Sequence, residues 1–188
     1  MSLPRTSGAP RARPSRLFLA KFVAMVAIMG GSAIYASDRY VIGYDSQSQR
    51  CLDARVFLID TWRKPSAGEM ARGDLVPVAM MAHQRPAAAL WLVGQVMVKR
   101  VLASEPGDVM HVDPDGVRFE APGHEDWSWG TALEAAAKLG LSKAELTRAE
   151  VLGDGEFFLM GDRSLSYDSR YYGALHEEQV TGTVLWAF

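Results

Sequence analysis

Hydrophobic residues along the chain follow two different patterns. Residues 17–36 form one continuous run that is apolar except for Lys21. Further along, apolar residues occur in short runs that are rich in β-branched and aromatic side chains and are bounded by glycine, proline or aspartate, which is typical of β-strands. These runs predict seven strands, at residues 55–60, 74–80, 95–103, 108–113, 117–120, 156–162 and 181–188.

Turn and capping residues refine this picture. The sequence DPDG at 113–116 predicts a hairpin turn, because proline fixes φ and glycine accepts a positive φ. Thr131 with Glu134, and Ser142 with Glu145, have the spacing of capping boxes, so two short helices are predicted, within residues 131–140 and 142–153. The resulting fold class is mainly β: a small barrel or sandwich body with a short α-helical insert and one N-terminal transmembrane helix.

The long apolar run has the length of a membrane anchor. At 1.5 Å per residue, a helix of about 20 residues spans about 30 Å, the thickness of the hydrocarbon core of a bilayer. Arginines precede the run, and this positive flank predicts a cytoplasmic N-terminus and a body on the periplasmic side of the inner membrane. The alternative is a cleavable signal peptide cut near Gly31, Ser32 and Ala33, although the run exceeds the roughly 7 to 15 residues of such segments.

The predicted organisation therefore has three parts. Residues 1–16, rich in proline, arginine, serine and glycine, are expected to form a disordered cytoplasmic tail. Residues 17–37 form the single-pass anchor. Residues 38–188 form the periplasmic body, which includes the helical insert at 121–155.

Charge is distributed unevenly along the chain. From Asp38 onward, the body holds 15 basic residues against 22 acidic residues. The body is therefore net acidic. We expect no nucleic acid as a partner, because phosphate binding requires clustered lysine and arginine. His111, His124, Glu125 and Asp126 lack the spacing of a zinc site. We accordingly expect no metal and no other cofactor.

Two polar segments of the body could carry chemistry. Lys99 and Arg100 are adjacent in a predicted strand, so alternation directs one of them toward the core. A lysine in an apolar site loses proton affinity and can act as a general base; the alternative is a lysine at the strand end that reaches solvent. The loop at 161–173 can pair Asp168 with Arg170, which suits a site that must orient a base, or it is only a structural ion-paired loop.

These segments resemble a known family. VKRVLASEPGD at 98–108 and GDRSLSYDSRYYG at 161–173, in this order after a membrane segment, resemble two sequence boxes of the type I signal peptidases, which are membrane-bound serine-lysine endopeptidases. RGDLVPV at 72–78 is similar to the box between their nucleophile and lysine. The closest likeness is to the conjugative-transfer, TraF-type branch that matures pilin subunits, given the single anchor, the small body and the form of the insert. A housekeeping signal peptidase is the near alternative.

The resemblance implies roles for several residues. Lys99 would be the general base, and Ser166 would hydrogen-bond it. Asp168 and Arg170 would form a supporting ion pair, and Arg100 would be a further supporting residue. No role is implied for a metal.

The nucleophile implied by the resemblance is Cys51. In the family a serine lies just after the membrane segment and is followed by an apolar residue, and in the transfer branch by proline and then glycine. Cys51 is followed by Leu52, which fits, but Asp53 stands in place of the proline and Arg55 in place of the glycine. A thiol has a pKa of about 8.5, below that of an ordinary lysine, so a lysine can activate it as a base.

Two serines are alternative nucleophiles. Ser48 would shift the following strand by three residues from the position that the family implies, and Ser46 fits less well. With Cys51 as nucleophile, its backbone N–H would hold the oxyanion, and Gln49 would stand where relatives have a small side-chain donor.

The function implied is that of a membrane-anchored endopeptidase. It would cleave secreted or membrane-inserted precursors by acyl transfer with a Cys51–Lys99 dyad. Its partners would be the lipid bilayer and a precursor protein, which we expect to be a pilin or another conjugative-transfer protein. The alternative from another class is a non-catalytic assembly component or chaperone of a pilus or secretion apparatus, since the box around Cys51 departs from the family pattern.

Overall fold

The chain divides into two compact units, Met1–Asp38 and Arg39–Phe188. The structure, a computed structural model, describes residues 15–47, 50–81, 93–121, 127–130 and 133–188, with the backbone alone for Trp127, Trp129 and Gly130. The first unit holds one long helix. The second unit holds all of the described strands.

Helix α1 spans Arg16–Arg39, 24 residues in all. The Ser15 hydroxyl accepts a hydrogen bond from the Phe18 N–H at 3.1 Å, which satisfies one of the donors left open at a helix start. Within the described part of the chain, α1 is the one helix long and apolar enough to cross a membrane, by length and composition alone. A signal sequence near the N-terminus would meet the same criterion.

The second unit is a set of antiparallel strands. Those that the structure describes are β1 Tyr40–Tyr44, β2 Val56–Asp60, β3 Leu75–Ala79, β4 Val96–Ala103, β5 Val109–Asp113, β6 Gly116–Glu120, β7 Trp127–Gly130, β8 Arg148–Val151, β9 Glu156–Met160, β10 Leu175–His176 and β11 Thr183–Ala187. They form three sheets, with the strand orders β1-β2-β11, β10-β9-β4-β3 and β7-β6-β5-β8. The mainly β prediction is confirmed, whereas a barrel or sandwich form stays a prediction.

Helical structure in this unit is short. The α-helices are α2 Lys143–Leu146 and α3 Ser169–Tyr172. Short 3-10 helices occur at Ala67–Glu69, Ala137–Leu139 and Glu177–Gln179.

Strand β9 lies between two hydrophobic clusters. Because side chains alternate along a strand, Phe157 and Leu159 pack on one side, and Phe158 and Met160 pack on the other. A strand buried on both faces reads as a continuous apolar run, as the sequence EFFLM does. Strand β9 and its neighbour β4 therefore form the central part of their sheet, and the loop that follows β9 starts from a rigid support.

The insert contains less helix than the sequence predicts. Ser142 and Glu145 do form a capping box at the start of α2. However, α2 ends at Leu146 and the chain continues as strand β8, which pairs with β5 along its length. Pairing with a neighbouring strand outweighs the helix propensity of the sequence RAEV, so the prediction of a longer second helix was wrong.

The first predicted helix of the insert is also replaced by turns. In the described part of residues 131–140, a short 3-10 helix ends at Gly140, whose φ of 70° is the left-handed conformation expected at a helix end. Thr131, the proposed capping residue, lies outside the described residues.

The predicted hairpin is present in a different form. Strands β5 and β6 pair antiparallel with Asp113 opposite Gly116, so Pro114 and Asp115 form a two-residue turn between them. Gly116 is not among the described glycines with a positive φ, so the expected conformation at this glycine was wrong.

We predict that Gly182→Ala destabilises the body by about 1–3 kcal/mol, because overpacking displaces a well-packed backbone. A Cβ on Gly182 would lie 2.6 Å from the carbonyl oxygen of Asp60 and 2.8 Å from Cγ2 of Ile59. Gly68→Ala is the matched control, since a Cβ there has nothing within 4 Å. Urea unfolding of both variants checks this, and equal stability of the two variants would contradict it.

Candidate active site

Lys99 is buried at the centre of the second sheet. It lies on β4, opposite Val76 of β3, and only 2% of its surface is exposed. Its Nζ donates a hydrogen bond to Ser166 Oγ at 2.8 Å, and this bond is itself buried. Arg100, the next residue, is about half-exposed because alternation directs it to the other face. Lys99 is therefore the inward-facing member of the pair, and not a lysine that reaches solvent.

Ser166 is positioned by a close approach to Gly161. A Cβ on Gly161 would lie 2.2 Å from Ser166 Oγ and 2.5 Å from Ser166 Cβ. No side chain fits in that space, so glycine is required for Ser166 to reach Lys99. The loop that carries Ser166 can therefore fold tightly against the end of β9.

An ion pair fixes the loop from within. Asp168 and Arg170 are fully buried, and Arg170 Nε donates to Asp168 Oδ1 at 2.7 Å while Nη2 donates to Oδ2 at 2.7 Å. Nη2 also donates to the carbonyl of Ser166 at 3.0 Å. Asp168 Oδ2 further accepts the Gly161 N–H at 2.9 Å. A buried ion pair tolerates desolvation only when its remaining hydrogen-bonding capacity is used, as it is here.

Electrostatics of the pair agree with this geometry. Burial lowers the pKa of Arg170, but the charge of Asp168 and the hydrogen bonds to it outweigh burial, so that this pKa lies above its ordinary value. Arg170 therefore remains a cation, and its carbonyl partners along the loop stay engaged.

Cys51 also lies close to Gly161. Its carbonyl oxygen would be 2.6 Å from a Cβ on Gly161 and accepts the Asp162 N–H at 2.7 Å. The neighbouring Leu52 is buried with Phe57 in a separate cluster, which anchors the loop. Cys51 and the Ser166 loop are thus held against the same residue.

The thiol of Cys51 is half-buried and has a different partner from Lys99. It donates to Gln47 Oε1 at 3.6 Å. Among the residues that the structure describes, no hydrogen bond links the Cys51 thiol to the Lys99 amine. The Cys51 N–H likewise donates to no other described residue.

Asp162 joins the Cys51 loop to β4. Its carboxylate accepts Arg100 Nε at 2.7 Å and Nη2 at 3.0 Å, and it also accepts the Asp53 N–H at 3.1 Å. Burial raises the pKa of Asp162, but the hydrogen bonds from Arg100 and Asp53 and the charge of Arg100 lower it by more than burial raises it. The pKa of Asp162 therefore lies below its ordinary value. The role of Asp162 was missed from the sequence, although it directly follows the glycine of the last box.

Asp53 makes two contacts that a proline could not make. Besides its N–H bond to Asp162, its carboxylate accepts Arg163 Nη2 at 2.5 Å in an exposed ion pair. A proline has neither this N–H nor a carboxylate. The loop is therefore anchored in this chain by a backbone N–H that proline lacks and by the carboxylate of Asp53.

Of the alternative nucleophiles Ser46 and Ser48, the structure describes Ser46. Ser46 is exposed in the segment between β1 and β2. Ser48 and Gln49 lie outside the described residues, as do His124, Glu125 and Asp126. Within the described ranges no cluster of three or more His, Cys, Asp or Glu side chains could hold a metal ion.

Two open cavities flank the Cys51 loop. One, of about 360 Å³, is lined by Arg50, Arg163, Ser164 and Leu165. The other, of about 420 Å³, is lined by Asp53, Arg72, Gly73, Arg100, Val101, Leu102, Met160, Gly161 and Asp162. Both border the segment from Gly161 to Ser164, so the surroundings of Cys51 are accessible from solvent.

Comparison with known proteins assigns the chain to the peptidases. It belongs to the signal peptidase family, peptidase S26, whose family model matches residues 15–188. Members of this family are hydrolases that act on precursor proteins, and the N-terminal helix together with the family suggests membrane anchoring. No curated protein matches the chain.

One solved structure illustrates the family. The chain is similar to the crystal structure of a signal peptidase I from Enterococcus faecalis, with 24% sequence identity over 65% of this chain and 97% of that chain. The TM-score is 0.36, so the family assignment rests on the match over residues 15–188.

We predict that Gly161→Ala lowers precursor cleavage about 100-fold, because displacement of a catalytic group by about 1 Å has an effect of this size. The added Cβ would displace Ser166 from Lys99. Cleavage of a precursor whose membrane segment ends in Ala-X-Ala is measured in detergent, with Gly68→Ala as control. Activity of Gly161→Ala within about twofold of the control would contradict a site built on this approach.

Proposed function

We propose that the protein is a membrane-anchored endopeptidase that cleaves secreted or membrane-inserted precursors by acyl transfer, with Cys51 as nucleophile and Lys99 as general base. The observation that carries the proposal is the buried 2.8 Å hydrogen bond from Lys99 to Ser166. A lysine amine in this position is desolvated and oriented, as a base for proton transfer must be.

The first step transfers a proton and forms a bond. The thiol leaves Gln47 and gives its proton to the Lys99 amine, and the sulfur attacks the carbonyl carbon of the scissile peptide. The tetrahedral intermediate collapses to a thioester on Cys51. The leaving amine, which becomes the N-terminus of the mature protein, takes the proton from the Lys99 ammonium.

The second step releases the acyl group. Lys99 accepts a proton from water, the hydroxide attacks the thioester, and the thiol regains its proton from Lys99. The free N–H of Cys51 is available as an oxyanion donor in both steps, because it donates to no other described residue. Gln49 is proposed as the second donor.

We place the enzyme in the inner membrane as a single-pass protein. Residues 1–16 would form the cytoplasmic tail, residues 17–37 the anchor and residues 38–188 the periplasmic body with its insert at 121–155. The basic N-terminal flank supports this orientation. Pilins or other conjugative-transfer proteins are the proposed substrates, on the likeness of the last box to the TraF-type branch.

A second candidate is a non-catalytic assembly component that binds precursors. It is favoured by one observation: the Cys51 thiol donates to Gln47 and not to Lys99. In that case the Lys99–Ser166 bond would serve stability alone.

We predict that Lys99→Met and Cys51→Ala each lower cleavage of the Ala-X-Ala precursor by a factor of about 100 or more, as removal of a general base or nucleophile does. Lys143→Met, a change at an exposed lysine of α2, and Ser46→Ala should cleave like the wild type. Rates are measured on purified full-length protein.

Two outcomes separate the candidates. Unchanged cleavage by Cys51→Ala would exclude the thiol as nucleophile. Precursor binding without cleavage by the wild type, retained in Lys99→Met, would favour the assembly component.

A further inference from the structure

Helix α3 ends in carbonyls that the insert supplies with donors. The last carbonyls of any helix lack partners within the helix, and α3 has only four residues. Arg148 of β8 donates from Nη2 to the Ser169 carbonyl at 2.7 Å and from Nη1 to the Arg170 carbonyl at 3.0 Å. A guanidinium suits this task because its donors are held in a rigid planar fork.

Glu150 of the same strand binds both Arg148 and Ala174, which lies two residues after the end of α3. Its carboxylate accepts Arg148 Nε at 3.2 Å and the Ala174 N–H at 2.9 Å. Gly173, which lies between the end of α3 and Ala174, has a φ of 86°, and a Cβ there would lie 3.0 Å from Glu150 Oε1. The turn that ends α3 is therefore shaped around Glu150.

Further contacts join the insert to the same loop. The Tyr171 hydroxyl accepts the Ala135 N–H at 3.0 Å in a buried site. The Ser164 hydroxyl donates to Glu134 Oε2 at 2.5 Å. The insert thus contacts the loop before α3, within α3 and after it.

These contacts lead to Lys99 through Arg170. The Arg170 backbone is held by Arg148, and its side chain donates to the carbonyl of Ser166, whose hydroxyl accepts the Lys99 amine. We infer that Arg148, with Glu150, is a positioning residue that acts through Arg170 and Ser166 to orient Lys99, so that the insert serves as a brace for the catalytic loop. This inference rests on the proposed peptidase function.

The sheet that contains Arg148 also contains a control for the inference. Arg118 and Glu120 on β6 form a pair with the same two-residue spacing as Arg148 and Glu150, at 3.5 Å. Neither makes a hydrogen bond to the described residues of the catalytic loop. Arg118→Met therefore removes the same kind of side chain from the same sheet without removing the brace.

The test compares full-length wild type, Arg148→Met, Arg148→Lys and Arg118→Met on the Ala-X-Ala precursor. We expect Arg148→Met to lower kcat about 10-fold to 100-fold with KM within about twofold, because misplaced catalytic groups slow the chemical step. Arg148→Lys should recover part of the loss, since it keeps a donor for one carbonyl. Arg118→Met should match the wild type, and loss of activity in Arg118→Met equal to that in Arg148→Met would overturn the inference.

A double-mutant cycle separates positioning from general stability. If Arg148 acts through Ser166, Arg148→Met should lower kcat by less than about threefold in a Ser166→Ala background, because coupled residues are not additive. A full 10-fold to 100-fold loss in that background would overturn the inference.

Hydrogen exchange tests the brace without relying on activity. Amides in residues 163–172 should exchange about 10-fold faster in Arg148→Met than in Arg118→Met, while those of β4 stay unchanged. Equal exchange at residues 163–172 in the two variants would overturn the inference. A wild type that cleaves no precursor, but shows this difference in exchange, would contradict the proposed function and leave the brace supported.

Discussion

The hydrogen bond between Lys99 and Ser166 is the constraint on which the rest of the site depends. Because only 2% of the surface of Lys99 is exposed, its amine must have a polar partner, since an unpaired polar group in the interior costs several kcal/mol on typical scales. Ser166 can be that partner only because Gly161 leaves room for it. The ion pair of Asp168 with Arg170 then holds the loop in this position. The neighbouring strands β4 and β9 of one sheet support it.

The same glycine links the base to the proposed nucleophile. Ser166 and the Cys51 carbonyl both approach the position that a Cβ on Gly161 would occupy, and Asp162 ties the Cys51 loop to Arg100 on β4. Lys99 and Arg100, adjacent in sequence, therefore hold two different loops from the two faces of one strand. The replacement of proline by Asp53 is compatible with an anchored loop, because the N–H and carboxylate of Asp53 both have partners.

Local patterns predicted the parts of the fold that local interactions decide. The apolar runs identified seven of the eleven described strands and missed β1, β7, β8 and β10. Alternation also required that either Lys99 or Arg100 face inward, and the spacing of Ser142 and Glu145 identified the start of α2. Strand β8 was missed because its sequence favours a helix and only its pairing with β5 makes it a strand. The contacts of Arg148 and Asp53 were missed for a related reason: their partners are distant in sequence, and no periodicity records them.

Cys51 is the proposed nucleophile, and the most direct test of this proposal is to trap the acyl-enzyme. Full-length wild type is mixed with the Ala-X-Ala precursor, quenched in acid within the first turnover, digested and examined by mass spectrometry. The account predicts that the N-terminal part of the precursor is attached as a thioester to the peptide that contains Cys51. Cleavage with that fragment attached to Ser46 or Ser48 would contradict the account.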